Sequence, residues 1–440
     1  MAKSNEKAIQ SAKAALPPIE FTAAGKTDEE RKANLEMVLP APGFPTAVLL
    51  IVDGIEKNAD IIVLDFTAQA VNIRFQVDYI WHDLPPMDRA TGDYMLATLK
   101  QLAGLNYRDR RSRQEGEFQV EFMRKRLKMR IVTQGIQTGE RVAIYTGLPR
   151  PKTETLTDMG MIPSMLERLE KILGSQDGMF LVTALPGEGY SSAWRGTLNA
   201  CDRFMRDYYV IEEKSRPEEE VINVTPIYYD ESAGETPFTP IPNLLLKEPK
   251  VIAFNEVNSG ELLNQMAELS EQEIFVPTRI YGKHAIDGLA RLMALKPDLV
   301  KLGQQLRGVL CMRTVRKLCE NCRQPFVPNP ALLHKLGLPV GSVRQLYRAF
   351  EYQPGMVDEA GVEIPPCSVC FGIGFRGLTG IFELLEMSDP LHDAMVNQPH
   401  VRAMMAAART AGHIAIREMG VIAVAKGTTS LEELQRVLNK

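Results

Sequence analysis

The chain is 440 residues long, 45% hydrophobic and 24% charged, a balance that excludes wholesale disorder. Its net charge of −4 gives no global attraction to nucleic acid or an anionic membrane. No apolar run reaches the ~18 residues of a spanning helix, and Met1–Glu6 does not open a secretory signal. The six cysteines are therefore read as thiols of a reducing, cytoplasmic compartment, and the length as two or three domains of ~150 residues.

Residues 1–43 mix Lys, Glu, Ala and Pro without apolar periodicity and are expected to form a flexible leader. Order is expected from Phe44. Thr46–Glu56 spaces its apolar residues as a helix, Asp60–Asp65 is a short apolar strand, and Val71–Val77 alternates as a half-buried strand. Asp88 is placed to cap a helix that stops at Gly104. Alternating segments at Phe118–Phe122, Leu127–Val132 and Arg141–Tyr145 complete a small α+β domain over residues 44–149. After the Pro149-Arg150-Pro151 linker, Pro163 opens a helix ending near Gly174. Apolar strands at Met179–Thr183, Tyr208–Ile211, Val251–Phe254 and Ile274–Val276 then alternate with amphipathic helices. That pattern predicts an α/β core with a largely parallel sheet over 150–310. From about Asp298 the chain reads as mostly helical, interrupted by a cysteine-bearing segment at 311–385 and closing in a helical region at 386–440.

Charge is uneven. Lys100–Arg130 holds ten Lys/Arg against four Asp/Glu, and Glu212–Glu235 holds eight acids against two bases. Two solvated faces account for this; a basic domain of one subunit meeting a neighbour's acidic loop is the alternative. The arginines carry little aromatic interleaving and there is no zinc-finger histidine pair, which argues against nucleic acid as a partner.

Cys319-Glu-Asn-Cys322 and Cys367-Ser-Val-Cys370 each put two thiolates on a tight knuckle. Together they supply the four soft ligands of a structural Zn²⁺, with no open position for a substrate. Cys201 and Cys311 lack partners at ligand spacing and read as buried apolar side chains.

The strand ending at Thr183 runs into Ala184-Leu-Pro-Gly-Glu-Gly-Tyr-Ser191 and then a helix, the context of a phosphate-binding loop. Gly187, Gly189 and Ser191 suit such a loop. Ala184 stands where its first glycine belongs, and Tyr190 where the lysine belongs, and a phenol supplies no ammonium.

Segments spread over about Phe44 to Lys440 together resemble the secretion ATPases of type II secretion and type IV pilus assembly. Asn58-Ala-Asp-Ile-Ile-Val-Leu-Asp65 is similar to that family's A-S-D-I-H-I-E strand, and Gly104–Gly116 to its G-L-D-I-A-E-R-R-x-P-Q-D-G stretch. Lys317–Arg323 and Gly372–Leu385 resemble its zinc segment and the glycine motif after it, and Gly427-Thr-Thr-Ser-Leu-Glu-Glu433 its carboxy-terminal tail. The resemblance implies a small N-terminal domain joined to a RecA-like core, with zinc in the carboxy-terminal region. It also implies Glu256 as the residue that polarises the attacking water, Glu212 in the acidic box, and Arg110, Arg111 and Arg113 as cross-subunit contacts. The acidic box reads Ile211-Glu-Glu-Lys214, the strand before Glu256 opens with Lys250, and Pro277–Lys283 lacks the family's histidine.

Phosphoryl transfer is positioning and charge stabilisation, where one cationic finger is worth about 10³–10⁵ in rate. The expectation is therefore a pseudo-ATPase with weak or absent hydrolysis, a scaffold or regulatory subunit beside an active paralogous ATPase. The alternative is an active motor with a rearranged site, taking a cation in trans from the basic Lys100–Arg130 region or using Lys250 or Lys283. Binding of ATP and Mg²⁺ stays open. By resemblance the partners are inner-membrane secretion or pilus assembly components, the assembly a homo- or hetero-hexamer, and the location peripheral at the inner-membrane face. The family's extra N-terminal docking domain is expected to be absent, since few residues precede Phe44.

Overall fold

A computed structural model describes residues 17–149, 155–339 and 341–439. They divide into two units: Met1–Pro151 with Tyr352–Ile373, and Lys152–Glu351 with Gly374–Lys440.

Seven strands of the first unit form one sheet: β1 (Ile19–Thr22), β2 (Ala59–Phe66), β3 (Ala70–Val77), β4 (Ile80–Asp88), β5 (Gln114–Phe122), β6 (Lys125–Ile136) and β7 (Gly139–Tyr145). Their order is β1-β5-β6-β7-β2-β3-β4, with every pair antiparallel. Helix Phe44–Glu56 forms where its periodicity predicts and buries Phe44, Ala47, Val48, Leu50, Ile51 and Val52. Asp88 caps helix Arg89–Leu102, accepting from the Thr91 amide at 2.9 Å.

Two differences from the sequence reading concern this unit. The leader expected over 1–43 gives way to β1, which pairs with β5, and to helix Asp28–Val38; residues 1–16 lie outside the described part. That helix escaped the periodicity test because it buries only Val38, yet Thr27 caps it and Asp28, Glu29 and Glu30 crowd its first turn, a legible start signal. Strand β4 escaped because it carries Pro85 and Pro86, which a sheet tolerates at its edge, where β4 lies.

The second unit holds β8 (Gly178–Ala184), β9 (Tyr208–Glu213), β10 (Val224–Tyr229), β11 (Val251–Phe254), β12 (Phe275–Tyr281), β13 (Leu306–Leu318), β14 (Gln324–Phe326), β15 (Leu346–Arg348) and β16 (Phe375–Glu386). The main sheet runs β10-β9-β11-β12-β8-β13-β16, parallel except for the β13–β16 pair; β14 and β15 form a separate ribbon. Strand β8 is buried throughout and sits between β12 and β13, as a parallel strand covered on both faces should. The core sheet thus extends past residue 310: β13 and β16 belong to it, and the wholly helical region starts at Asp389. Among the described residues no helix is long and apolar enough to cross a membrane.

The Gly427–Glu433 tail is a clasp on β13. The Leu318 amide donates to the Thr428 carbonyl at 2.9 Å and the Thr429 hydroxyl to the Arg316 carbonyl at 2.8 Å. Ser430 caps helix Leu431–Leu438. Glu433, fully buried, accepts from Arg316 Nη2 at 2.8 Å and Arg436 Nη2 at 2.6 Å. Burial would raise its carboxyl, but the hydrogen bonds from Arg436 and Arg316 outweigh that and hold it at about 2. A carboxylate depressed in the folded state contributes stability that is complete above its unfolded value and is lost as pH falls. Acidifying from about pH 5 to about pH 2 should therefore remove about 3 kcal/mol through this one residue. In Glu433→Gln, which starts less stable, chemical denaturation should show that slice of the acid dependence gone; an unchanged pH profile would refute the assignment.

Candidate functional site

The carboxyl ends of β8, β9, β11 and β12 converge on one edge of the parallel sheet, where open α/β folds place their ligand crevice. The turn after β8 takes Gly187 to φ +74° and Gly189 to φ +93°, and Gly189 heads helix Tyr190–Ala200 without any side-chain cap. A Cβ on Gly189 would sit 3.0 Å from Met312 Cε and Thr314 Oγ1, a tight contact, and the positive φ itself favours glycine there. A Cβ on Gly187 would meet nothing. The loop's remaining acid is already engaged: Glu188 pairs with buried Arg313 of β13 and its carbonyl accepts from Thr314 Oγ1 at 2.8 Å.

Tyr190, at the lysine position, is buried and packs against Tyr281 with ring centroids 4.3 Å apart and planes tilted by 33°. Burial pushes its hydroxyl well above the ordinary phenol value, so it stays neutral. The Arg279 guanidinium lies 4.4 Å from the Tyr190 ring centroid and 5.6 Å from that of Trp194. Arg279 is 3% exposed. Its Nε donates to the Asn255 carbonyl and its Nη2 to Glu218 Oε1, both at 2.6 Å. Ser191 Oγ donates to the same Glu218 oxygen at 2.9 Å. The hydroxyl that would hold Mg²⁺ in a working loop is thus bonded to a carboxylate of the β9–β10 connection.

Glu212 ends up beside that connection, where the Glu218 amide donates to its Oε2 at 3.2 Å and burial raises its carboxyl above the ordinary value. The cavity lined by Trp194, Glu212, Glu218, Glu219 and Glu220 measures only about 20 Å³, against ~300 Å³ or more for a small-molecule site. Glu256 is half-exposed and faces Arg216 at 3.6 Å, which also approaches Glu213 and Glu231 at 3.6 Å. The expected site residues Gly187, Gly189, Tyr190, Ser191 and Glu212 are brought together; Glu256 is directed into a surface ion-pair cluster.

Of the cations named as substitutes, Lys250 lies away from the loop, whereas Lys283 directly follows Gly282, whose amide donates to the Ala184 carbonyl at 3.1 Å. Lys250 precedes β11 in the row of Phe275 and Gly178, the opposite end of β8 from Ala184, about 20 Å along the strands. Lys100 is fully buried, paired with Glu140 and bonded to the Asp109 carbonyl at 2.7 Å, so it is no part of a solvated basic face. Arg110 pairs with Asp93 at 2.8 Å, Arg113 lies 3.8 Å from Glu115, and Arg111 is exposed. The residues missed from sequence are Arg279 and Glu218. Arg279 stands in the altered Pro277–Lys283 box, and Glu218 was hidden within an acidic run counted as solvated.

The Sγ atoms of Cys319, Cys322, Cys367 and Cys370 all lie within 4.8 Å of one another. Tetrahedral zinc at ~2.3 Å from sulfur spaces its ligands by ~3.8 Å, so the four thiols fit that ion. Each pair is a tight turn, closed by the Arg323 amide on the Cys319 carbonyl at 2.9 Å and the Phe371 amide on the Cys367 carbonyl at 2.8 Å. Cys201 and Cys311 are buried, and burial pushes the Cys201 thiol up to about 12, the state of an inert side chain.

A family model described as Type II/IV secretion system protein matches residues 45–436. The chain is 26% identical over 400 residues to type II secretion system protein E of Dickeya dadantii, covering 88% of this chain and 74% of that one. It is 24% identical to the type IV pilus assembly ATPase PilB of Thermus thermophilus over 83% of this chain but 39% of that one. Among solved structures, the Legionella pneumophila ATPase DotB superposes with a TM-score of 0.50 at 12% identity, covering 88% of this chain and 94% of that one. That likeness is one of fold, and the fold is RecA-like.

Proposed function

Because the chain belongs to the type II/IV secretion system protein family, we propose that it is a non-hydrolysing subunit of a type II secretion or type IV pilus machine. It keeps the frame of a motor ATPase and works as a scaffold or regulator beside an active paralogue. The observation that carries this reading is the bonding of Ser191: its hydroxyl is committed to Glu218, with no ammonium at position 190. The ring is proposed as a homo- or hetero-hexamer at the cytoplasmic face of the inner membrane, gripping assembly components there, with zinc as its structural metal.

A second reading, an active motor with a rearranged site, draws on Arg279, a buried cation 4.4 Å from the ring of Tyr190, the residue at the lysine position. One assay separates the two. With Mg²⁺ and millimolar ATP, the purified chain should release phosphate no faster than a protein-free control. Phosphate release above that control, abolished by Arg279→Gln, would establish the motor and end the first reading.

A further inference from the structure

We propose that the pocket formed by Ser191, Arg279 and the first turn of helix Tyr190–Ala200 is an oxyanion seat filled in cis by the Glu218 carboxylate. The inference rests on the non-hydrolysing reading and adds what closes the site. A helix start offers unsatisfied amides and the positive end of the helix dipole, and Gly189 provides no side chain to satisfy them. Arg279 supplies the fixed charge. It is held on the faces of Tyr190 and Trp194 and tied back to the Asn255 carbonyl, so its orientation is set before any anion arrives.

Guanidinium can engage an anion through several donors, yet here Nη2 alone meets Glu218, while Nη1 is buried without a hydrogen-bond partner. A buried arginine with an unused donor, beside a hydroxyl and a helix start, is a set of donors built for more oxygens than one carboxylate presents. Phosphate and pyrophosphate have the matching chemistry. Glu218 reaches the seat from the irregular β9–β10 connection, and its side chain is 19% exposed, on a segment outside the sheet's strands.

Inorganic pyrophosphate is the probe, titrated calorimetrically into the full chain. An anion competing with an internal carboxylate binds more weakly by the fraction of time the seat is open. Emptying it by Glu218→Ala should therefore tighten pyrophosphate binding at least about tenfold over the wild type. Adding Arg279→Gln to that variant should return binding to the wild-type level. Glu218→Gln, which keeps the side chain's shape without its charge, should bind at an intermediate strength and decides the matter if the alanine variant does not fold. The proposal is overturned if a folded variant binds pyrophosphate no better than the wild type, or if the gain survives loss of Arg279. ATP turnover by the wild type would instead sink the non-hydrolysing reading, and the pyrophosphate comparison would still stand or fall by itself.

Discussion

Replacing Lys100 with alanine should destabilise the amino-terminal unit by about 3–5 kcal/mol, the cost of leaving a buried charge without its partner. Lys100 and Glu140 are both shielded from water, the lysine on helix Arg89–Leu102 and the glutamate on β7, so truncating one strands the other. For a unit of this size the melting temperature should fall by roughly 6 °C or more. The informative control is the pair Lys100→Met with Glu140→Leu. Swapping a buried ion pair for apolar groups of similar volume is often neutral or stabilising, so the double variant should melt above the single one. A single variant that melts like the wild type would show the pair to be solvated.

The second large effect concerns the four cysteines. The purified chain should carry about one zinc per molecule, measured by elemental analysis, because four soft thiolates close a tetrahedral site. Cys367→Ser with Cys370→Ser should lose that metal entirely. Structural zinc contributes ~10–16 kcal/mol of binding in isolated fingers, so even a fraction of that coupling should unfold the cysteine-bearing segment when the ligands are lost. Limited proteolysis should then cut between residues 319 and 374 in the variant and in chelator-treated wild type, and spare Cys201→Ser. A metal content near zero in freshly purified wild type, with the segment still protected, would reject zinc as its organiser.

Much of the fold was legible in the residues because burial imposes periodicity. Strand β8, covered on both faces, reads as a continuous apolar run, and helix Phe44–Glu56 shows its buried stripe. Elements that bury little leave no such mark, hence helix Asp28–Val38 and the proline-bearing edge β4 were missed. The site was legible in position but not in wiring. Ala184 and Tyr190 announce the altered loop, whereas the Ser191–Glu218–Arg279 contacts join three distant segments, and no local spacing encodes them. Counting charges failed in the same way at Lys100, whose partner lies far along the chain.

The β13–β16 ladder has a consequence for synthesis. Leu318 pairs with Phe375, so the chain leaves the sheet and re-enters it at the same rung after an excursion through the cysteine segment. Until Phe375–Glu386 has been made, β13 is the outermost strand, thirteen residues long and mostly apolar, with one row of amides and carbonyls unpaired. At ~5–20 residues per second the ribosome needs roughly 3–11 s to cross the excursion. For that interval the nascent protein carries an open, adhesive edge, which other chains can join.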